Sequence, residues 1–195
     1  MIAQLRENYR KIPEPVRLFL AKALLIAALW NLVYILFLSR YLDQYLTIHV
    51  GQSTAAVLNR YSGIQGFSSE YGNYSKISRD GLLVNQPGSQ IKLNQEMVMN
   101  IANSCNALQL MVLYIGFIIC IPAKLARKLY YIPIGVVCID IANITRTSAL
   151  AILKVKYAVY FDFAHHYIFT MVVYSAIILM WLIFTRKSRL RYAIV

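Results

Sequence analysis

Cysteine and acidic side chains are both scarce in this chain, and each shortage closes off a class of function. Three cysteines in 195 residues is an odd number, so they cannot all pair with one another. Cys105 and Cys120 are expected on one helix, about 22 Å apart, which is too far for a bridge. Neither a disulfide framework nor a CxxC metal site fits this set. The adjacent His165 and His166 would need further metal ligands that are not evident, so no metal and no cofactor are expected. No serine–histidine or paired-aspartate pattern supports another protease mechanism. A small-residue cleavage site is missing after the first apolar run, Val16 to Leu38, which continues Ser39-Arg40-Tyr41. That run is also too long for a signal-peptide core, and it reads as a retained span.

The acidic shortage leaves 8 Asp+Glu against 20 Lys+Arg, a formal charge of +12. In a soluble protein this would suggest nucleic acid. Here the basic residues cluster beside apolar runs, so topology and lipid headgroups account for them better, and no nucleic-acid partner is expected.

Apolar residues are abundant. They make up 59% of the chain, with a mean hydropathy of +0.53, whereas soluble domains sit nearer half. Four stretches reach the roughly 20 residues that a bilayer span needs. The sequence therefore predicts an all-α integral membrane protein. It would have about four transmembrane helices and an extracytoplasmic segment with an amphipathic helix and possible short strands. In order, we expect a tail at 1–15, spans at 16–38 and 102–121, a loop at 122–131, a span at 132–153, a loop at 154–163, a span at 164–184 and a tail at 185–195. The extracytoplasmic segment is 39–101. Within it, Leu42, Tyr45, Leu46, Val50, Ala56 and Val57 recur at helical spacing over 40–61, and the glycine-rich 62–94 reads as strands and turns. Basic residues concentrate in 1–15, 122–131 and 185–195, so both termini are expected in the cytoplasm and 39–101 outside.

Polar groups inside spans are costly and suggest function. Cys105 is expected about one turn inside the outer end of the second span, Arg146 about 10 Å below the outer end of the third, and His165 and His166 at the mouth of the fourth. Each has a bland alternative. Cys120 and Cys138 read as small apolar fillers, an arginine near a helix end snorkels to headgroups, and histidines beside aromatics suit an interfacial belt. A shared depth on one side favours chemistry. Cys105 would be the nucleophile, and Arg146 a fixed donor to a developing oxyanion. His166, with His165 as the alternative, would be general base and then acid. Asn143, three residues before Arg146 on the same helix face, could orient the guanidinium. Asp140 lies deeper and is expected to form a structural ion pair with Lys22.

Three motifs in order, Asn103-Ser104-Cys105-Asn106-Ala107, Asn143-Ile144-Thr145-Arg146 and His166-Tyr167-Ile168-Phe169-Thr170, resemble the exosortase/archaeosortase family of membrane-embedded cysteine transpeptidases, in a short form like those of Bacteroidetes. The family's Cys-Ser-Gly is here Cys105-Asn106-Ala107, which leaves the nucleophile in place and alters the surroundings of the oxyanion, with Asn106 as a supporting residue. The resemblance implies cleavage of exported proteins at a C-terminal sorting signal, made of a short motif, a transmembrane helix and a basic cluster. The cut would pass through a Cys105 thioester at the outer face of a bacterial inner membrane. The acceptor would be water, or a lipid or glycan precursor. The rival reading is a non-enzymatic membrane scaffold or small transporter subunit, with Arg146 and Asp140 serving packing or a solute path.

Overall fold

A computed structural model of the chain describes residues 14–34, 36, 39–77 and 83–192. Five helices and one sheet make up the architecture. Helix α1 spans Glu14–Val33 and α2 Ser39–Tyr61, followed by strands β1 Phe67–Ile77, β2 Leu83–Leu93 and β3 Glu96–Ala102. A 3₁₀ turn at Asn103–Cys105 leads to α3, Leu108–Cys120. Helix α4 is Leu125–Lys156, and α5, Phe169–Tyr192, is preceded by a π-helical turn at Ala164–Ile168.

The expectation of an all-α protein with about four spans is overturned. The fold is mixed α/β, because 67–77, 83–93 and 96–102 form a three-stranded antiparallel sheet in the order β1-β2-β3. Pairing runs from Phe67↔Leu93 to Ile77↔Leu83 and from Gly88↔Ala102 to Leu93↔Glu96, with a bulge at Ile91/Lys92. Asn94 and Gln95 link β2 to β3 with φ of 50° and 74°. Two successive positive φ values match the twist of a two-residue hairpin. Strands and turns were legible over 62–94, but their pairing into strands of 11, 11 and 7 residues was not.

Among the described residues, two helices are long and apolar enough to cross a membrane, Val16–Val33 and Leu125–Lys156. The stretches Leu108–Cys120 and Met171–Arg186 are apolar but shorter. The expected span 102–121 lost its first six residues to the end of β3 and to the turn. What remains is a 13-residue helix, about 20 Å long against a hydrocarbon core of roughly 30 Å. Helix α4, conversely, takes in much of the expected loop at 122–131. The Val16–Val33 window has none of its residues buried, with Leu24 72% exposed. An apolar surface of that extent calls for lipid or a partner to cover it.

Helix α2 is not an interfacial helix with the apolar stripe expected of it. Tyr45 and Ala56 are exposed, and the buried face is Thr47, Val50, Gly51, Thr54, Ala55 and Leu58. These small residues let the helix lie close on the sheet and on α4. A Cβ on Gly51 would fall 2.4 Å from Ser69 Oγ and 2.7 Å from Ser89 Cβ. Ser89 Oγ donates to the Thr47 carbonyl at 3.0 Å, and the Thr54 and Thr147 hydroxyls are 2.7 Å apart. Val50, Leu58, Phe67, Ile91, Ile101 and Leu150 fill the core between these layers. A second core joins α3, α4 and α5 through Met111, Tyr114, Ile118, Ile139, Val173 and Ile177.

Candidate active site

Cys105 sits on the junction between a strand and a helix. Strand β3 ends at Ala102, the 3₁₀ turn takes Asn103–Cys105, and α3 opens at Leu108. The thiol therefore belongs to a tight turn beyond the helix, not to the inside of a span as expected. A sharp strand-to-helix turn is the device that presents the nucleophile of α/β-hydrolases. Here the device has three visible supports, Ala107, Asn106 and Asn143.

Ala107 has φ 63° and ψ 6°, a left-handed conformation that costs an alanine roughly 1–2 kcal/mol and a glycine almost nothing. Ala107→Gly removes that strain but also removes a buried methyl of about 0.8 kcal/mol. We expect thermal unfolding of Ala107→Gly to stay within about 1 kcal/mol of the parent. Ala107→Val, whose branched Cβ resists this φ, should unfold at least about 2 kcal/mol more easily.

Asn106 is 2% exposed and uses both ends of its amide. Its Oδ1 accepts from the Leu108 N–H at 3.0 Å, capping α3, and its Nδ2 donates to Asp43 Oδ1 at 2.9 Å. Asp43 is in turn the acceptor for the Tyr34 hydroxyl, just past the C-terminal end of α1. That bond, with burial and the Asp43 charge, pushes the Tyr34 phenol up to about 12, so the link persists through the neutral range. Asn106→Ala would strand a helix-capping amide and a carboxylate in a buried site. The expected loss is about 2–4 kcal/mol, read by chemical or thermal unfolding, with thiol labelling of Cys105 losing its site selectivity.

Asn143 from α4 is the third support. It is 1% exposed and its Nδ2 donates to the Cys105 carbonyl at 3.0 Å. The expectation that it orients the guanidinium of Arg146 gives way to this: its donor holds the backbone of Cys105.

Arg146, one turn further along α4, lines a cavity of about 150 Å³ together with Ser104, Cys105, Ala107, Gln109, Leu110, Val173 and Tyr174. Four elements thus converge on one space. Gln109 and Leu110 of the first turn of α3 line this wall, and their backbone N–H groups have no acceptor within the helix. The Nε of Arg146 is buried without a hydrogen-bond partner, and no carboxylate stands within ion-pair distance of it among the described residues. Its Nη2 lies 3.5 Å from His165 Nε2, a long contact. A guanidinium can only donate, so in any hydrogen bond here the imidazole is the acceptor. His165 also stacks on Phe161, with centroids 5.9 Å apart and planes at 14°. The side chain of His166, the expected base, lies outside the described residues. His165, the alternative, is the histidine found beside Arg146.

The expected Lys22–Asp140 ion pair is replaced by another. Asp140 Oδ2 is 2.9 Å from His49 Nε2 on α2. Residue depth along separate helices does not report which neighbour intervenes, and α2 comes between.

Three residues around the turn escaped the sequence reading: Tyr34, Asp43 and Thr47. Asp43, Thr47 and Thr54 recur at helical spacing along α2, and that polar stripe was the available signal. Compared with known protein families, with curated proteins and with solved structures, the chain matches none.

Proposed function

We propose that this chain is a membrane-embedded cysteine transpeptidase or peptidase that cleaves exported proteins at a C-terminal sorting signal through a thioester on Cys105. The observation that carries the reading is one cavity lined by Cys105 and Arg146, with His165 Nε2 3.5 Å from the guanidinium. Residues 105, 146 and 165 lie on three separate elements, and packing alone gives no reason to bring a thiol, an unpaired guanidinium and an imidazole to one place.

In this mechanism the Cys105 sulfur attacks the scissile carbonyl and its proton passes to the histidine. The carbonyl electron pair moves to oxygen, where Arg146 and the free amides at the start of α3 donate hydrogen bonds. Collapse restores the carbonyl as a thioester and expels the amine, which takes the proton back from the imidazolium. Water, or a nucleophile on a lipid or glycan precursor, then releases the acyl group.

The proposed setting is a bacterial cytoplasmic membrane with the cavity at its outer face. Two features support this. The exposed apolar surface of α1 suits lipid. The basic residues Lys22, Arg127 and Lys128 gather at the opposite end of the helices from Cys105, where Lys128 Nζ reaches the Ile119 carbonyl at 2.7 Å and Arg127 the Phe184 carbonyl. Cationic groups favour the cytoplasmic side.

Intact-mass spectrometry of the chain purified from its own membranes tests the reading. A fraction should carry a peptide mass on Cys105 that neutral hydroxylamine removes, as it removes thioesters. No hydroxylamine-labile mass on Cys105, in a preparation where the thiol remains alkylatable, would count against an acyl-enzyme.

A further inference from the structure

Strand β3 is an edge of the sheet, and it leads straight to the candidate nucleophile. The strand order β1-β2-β3 leaves one long side of β3 without a neighbouring strand. Among the described residues, no other backbone group bonds to that side. The register shows what the open side presents. A Cβ on Gly88 would fall 2.5 Å from the Ile101 carbonyl oxygen, so that carbonyl points into β2. Successive residues of an antiparallel pair alternate in direction. The N–H and C=O groups of Asn100 and Ala102 therefore point away from β2, to the open side. Both residues are half-buried, and Met99 and Ile101 between and beside them share a core with Leu150 and Ala151 of α4, which backs the covered face of the strand.

Proteins defend their edge strands against pairing with charge, proline or bulges. The β1 edge follows this rule, with Glu70, Lys76 and a glycine at 72 along it. It also lies two strand spacings, about 10 Å, away from β3. From Met97 to Ala102, by contrast, β3 has no charge, no proline and no glycine. Its one bulge, opposite Ile91 and Lys92, falls before Asn100. Polar side chains at the same end are also left unsatisfied: Asn100 Oδ1 and Asn103 Oδ1 are buried without a hydrogen-bond partner. The Asn103–Cys105 turn begins at the residue after Ala102. An undefended edge that ends at a nucleophile is suited to an extended chain.

We propose that the open side of β3 binds the substrate as an added strand, the extended segment before the scissile bond pairing with the backbone of Asn100 and Ala102. The proposal rests on the cysteine-nucleophile reading above and says how that site takes its substrate. Ala102 is three residues from Cys105, at most about 10 Å of chain. The paired segment therefore ends within about three residues of the bond that is attacked. Strand β3 runs towards the membrane helix α3, and a substrate whose transmembrane helix follows the scissile bond runs the same way. The added strand is thus parallel to β3. Main-chain bonds supply affinity, and the alternate side chains of the segment are free to supply specificity. Once the amine has left, the paired segment is the acyl part, so β3 holds it in place while the thioester awaits its acceptor.

Proline at position 102 supplies the test. Ala102 has φ −69°, the value to which a proline ring is fixed, and its N–H faces away from the ladder. Ala102→Pro therefore keeps the sheet and deletes one donor from the open side. The full-length protein is purified from its own membranes, and the hydroxylamine-labile peptide on Cys105 is quantified by mass spectrometry. A second sample is treated with p-nitrophenyl acetate, which acetylates the thiol and has no chain to pair. We expect Ala102→Pro to carry about tenfold less peptide than the parent and to be acetylated within about twofold of it. Asn73→Pro, at an exposed outward position of the β1 edge opposite Pro87, should change neither. Parental peptide loading in Ala102→Pro overturns the proposal. So does an equal loss of peptide and acetate, which marks damage to the Cys105 turn. Amide exchange in the parent needs no variant: exchange across Asn100–Ala102 should be about tenfold slower with peptide on Cys105 than after hydroxylamine, and equal rates also overturn the proposal. Failure of the underlying reading looks different, since the parent itself would then carry no labile peptide.

Discussion

Cys105→Ala should abolish acyl transfer, measured as the hydroxylamine-labile peptide adduct or as release of p-nitrophenolate above background, while the protein accumulates at parental levels. The expected loss is about 10⁴-fold or more, the scale seen when the nucleophile of a covalent mechanism is removed. Stability should hardly move. The thiol is half-buried at a turn, the supports of that turn are made by Asn106, Asn143 and the backbone, and a cysteine-to-alanine change in such a place removes one small soft atom. Cys105→Ser separates nucleophile from shape. A serine fits the space, yet its hydroxyl ionises far less readily than a thiol, so about a thousandfold loss or more is expected even though the fold is untouched. Full processing by Cys105→Ala would sink the enzyme and favour a scaffold or transporter subunit.

Arg146 makes the second large prediction, and it runs in opposite directions for activity and stability. The guanidinium has a buried Nε without a partner, a long contact to His165 and no carboxylate at ion-pair distance among the described residues. A partly buried charge with so few partners is a cost to folding. Arg146→Met, which retains the length of the side chain, should therefore unfold at a temperature equal to or above that of the parent. Acyl transfer in the same variant should fall about 10²- to 10³-fold, the usual consequence of losing a preorganised oxyanion donor. Arg146→Lys keeps the charge but replaces a planar fork of donors with a single ammonium group, and it should recover only part of that loss. A variant that is both less stable and fully active would show that Arg146 packs the helices and does nothing else. The trade between stability and activity is the pattern expected of a site that holds an unsatisfied group for a substrate to satisfy.

The two predictions draw on different levels of the molecule. The choice of Cys105, Arg146 and a histidine was legible in the residues, because a thiol, a guanidinium and adjacent imidazoles are conspicuous among apolar neighbours. The helix positions of 14–33, 39–61, 108–120 and 125–156 were legible as well, to within a few residues at most ends, because apolar periodicity is a local property. The identity of the supporting groups was not. Asn143 was expected to serve Arg146 and instead holds the Cys105 carbonyl. Asp140 was expected beside Lys22 and instead meets His49. Both errors come from placing residues by depth on separate helices when the angular facing of each helix, and the intrusion of α2 between them, is set by packing.

The sheet is the larger lesson. Residues 67–102 hold few long apolar runs, since one face of the sheet is open and the other is covered by the small residues of α2, so neither face carries a strong alternating signal. Strand pairing is a non-local contact, and nothing in Gly88 or Ala102 read singly shows that they stand opposite each other. By itself, the sequence determined a strongly apolar, basic chain with helices of definite position and three residue types suited to acyl transfer. Only the tertiary structure decided that Cys105 stands on a strand-to-helix turn, that His165 stands beside Arg146, and that Asn143 holds the Cys105 carbonyl. The physical reason is that composition and periodicity are carried by neighbours along the chain, whereas a site is made by register and facing between segments far apart in it.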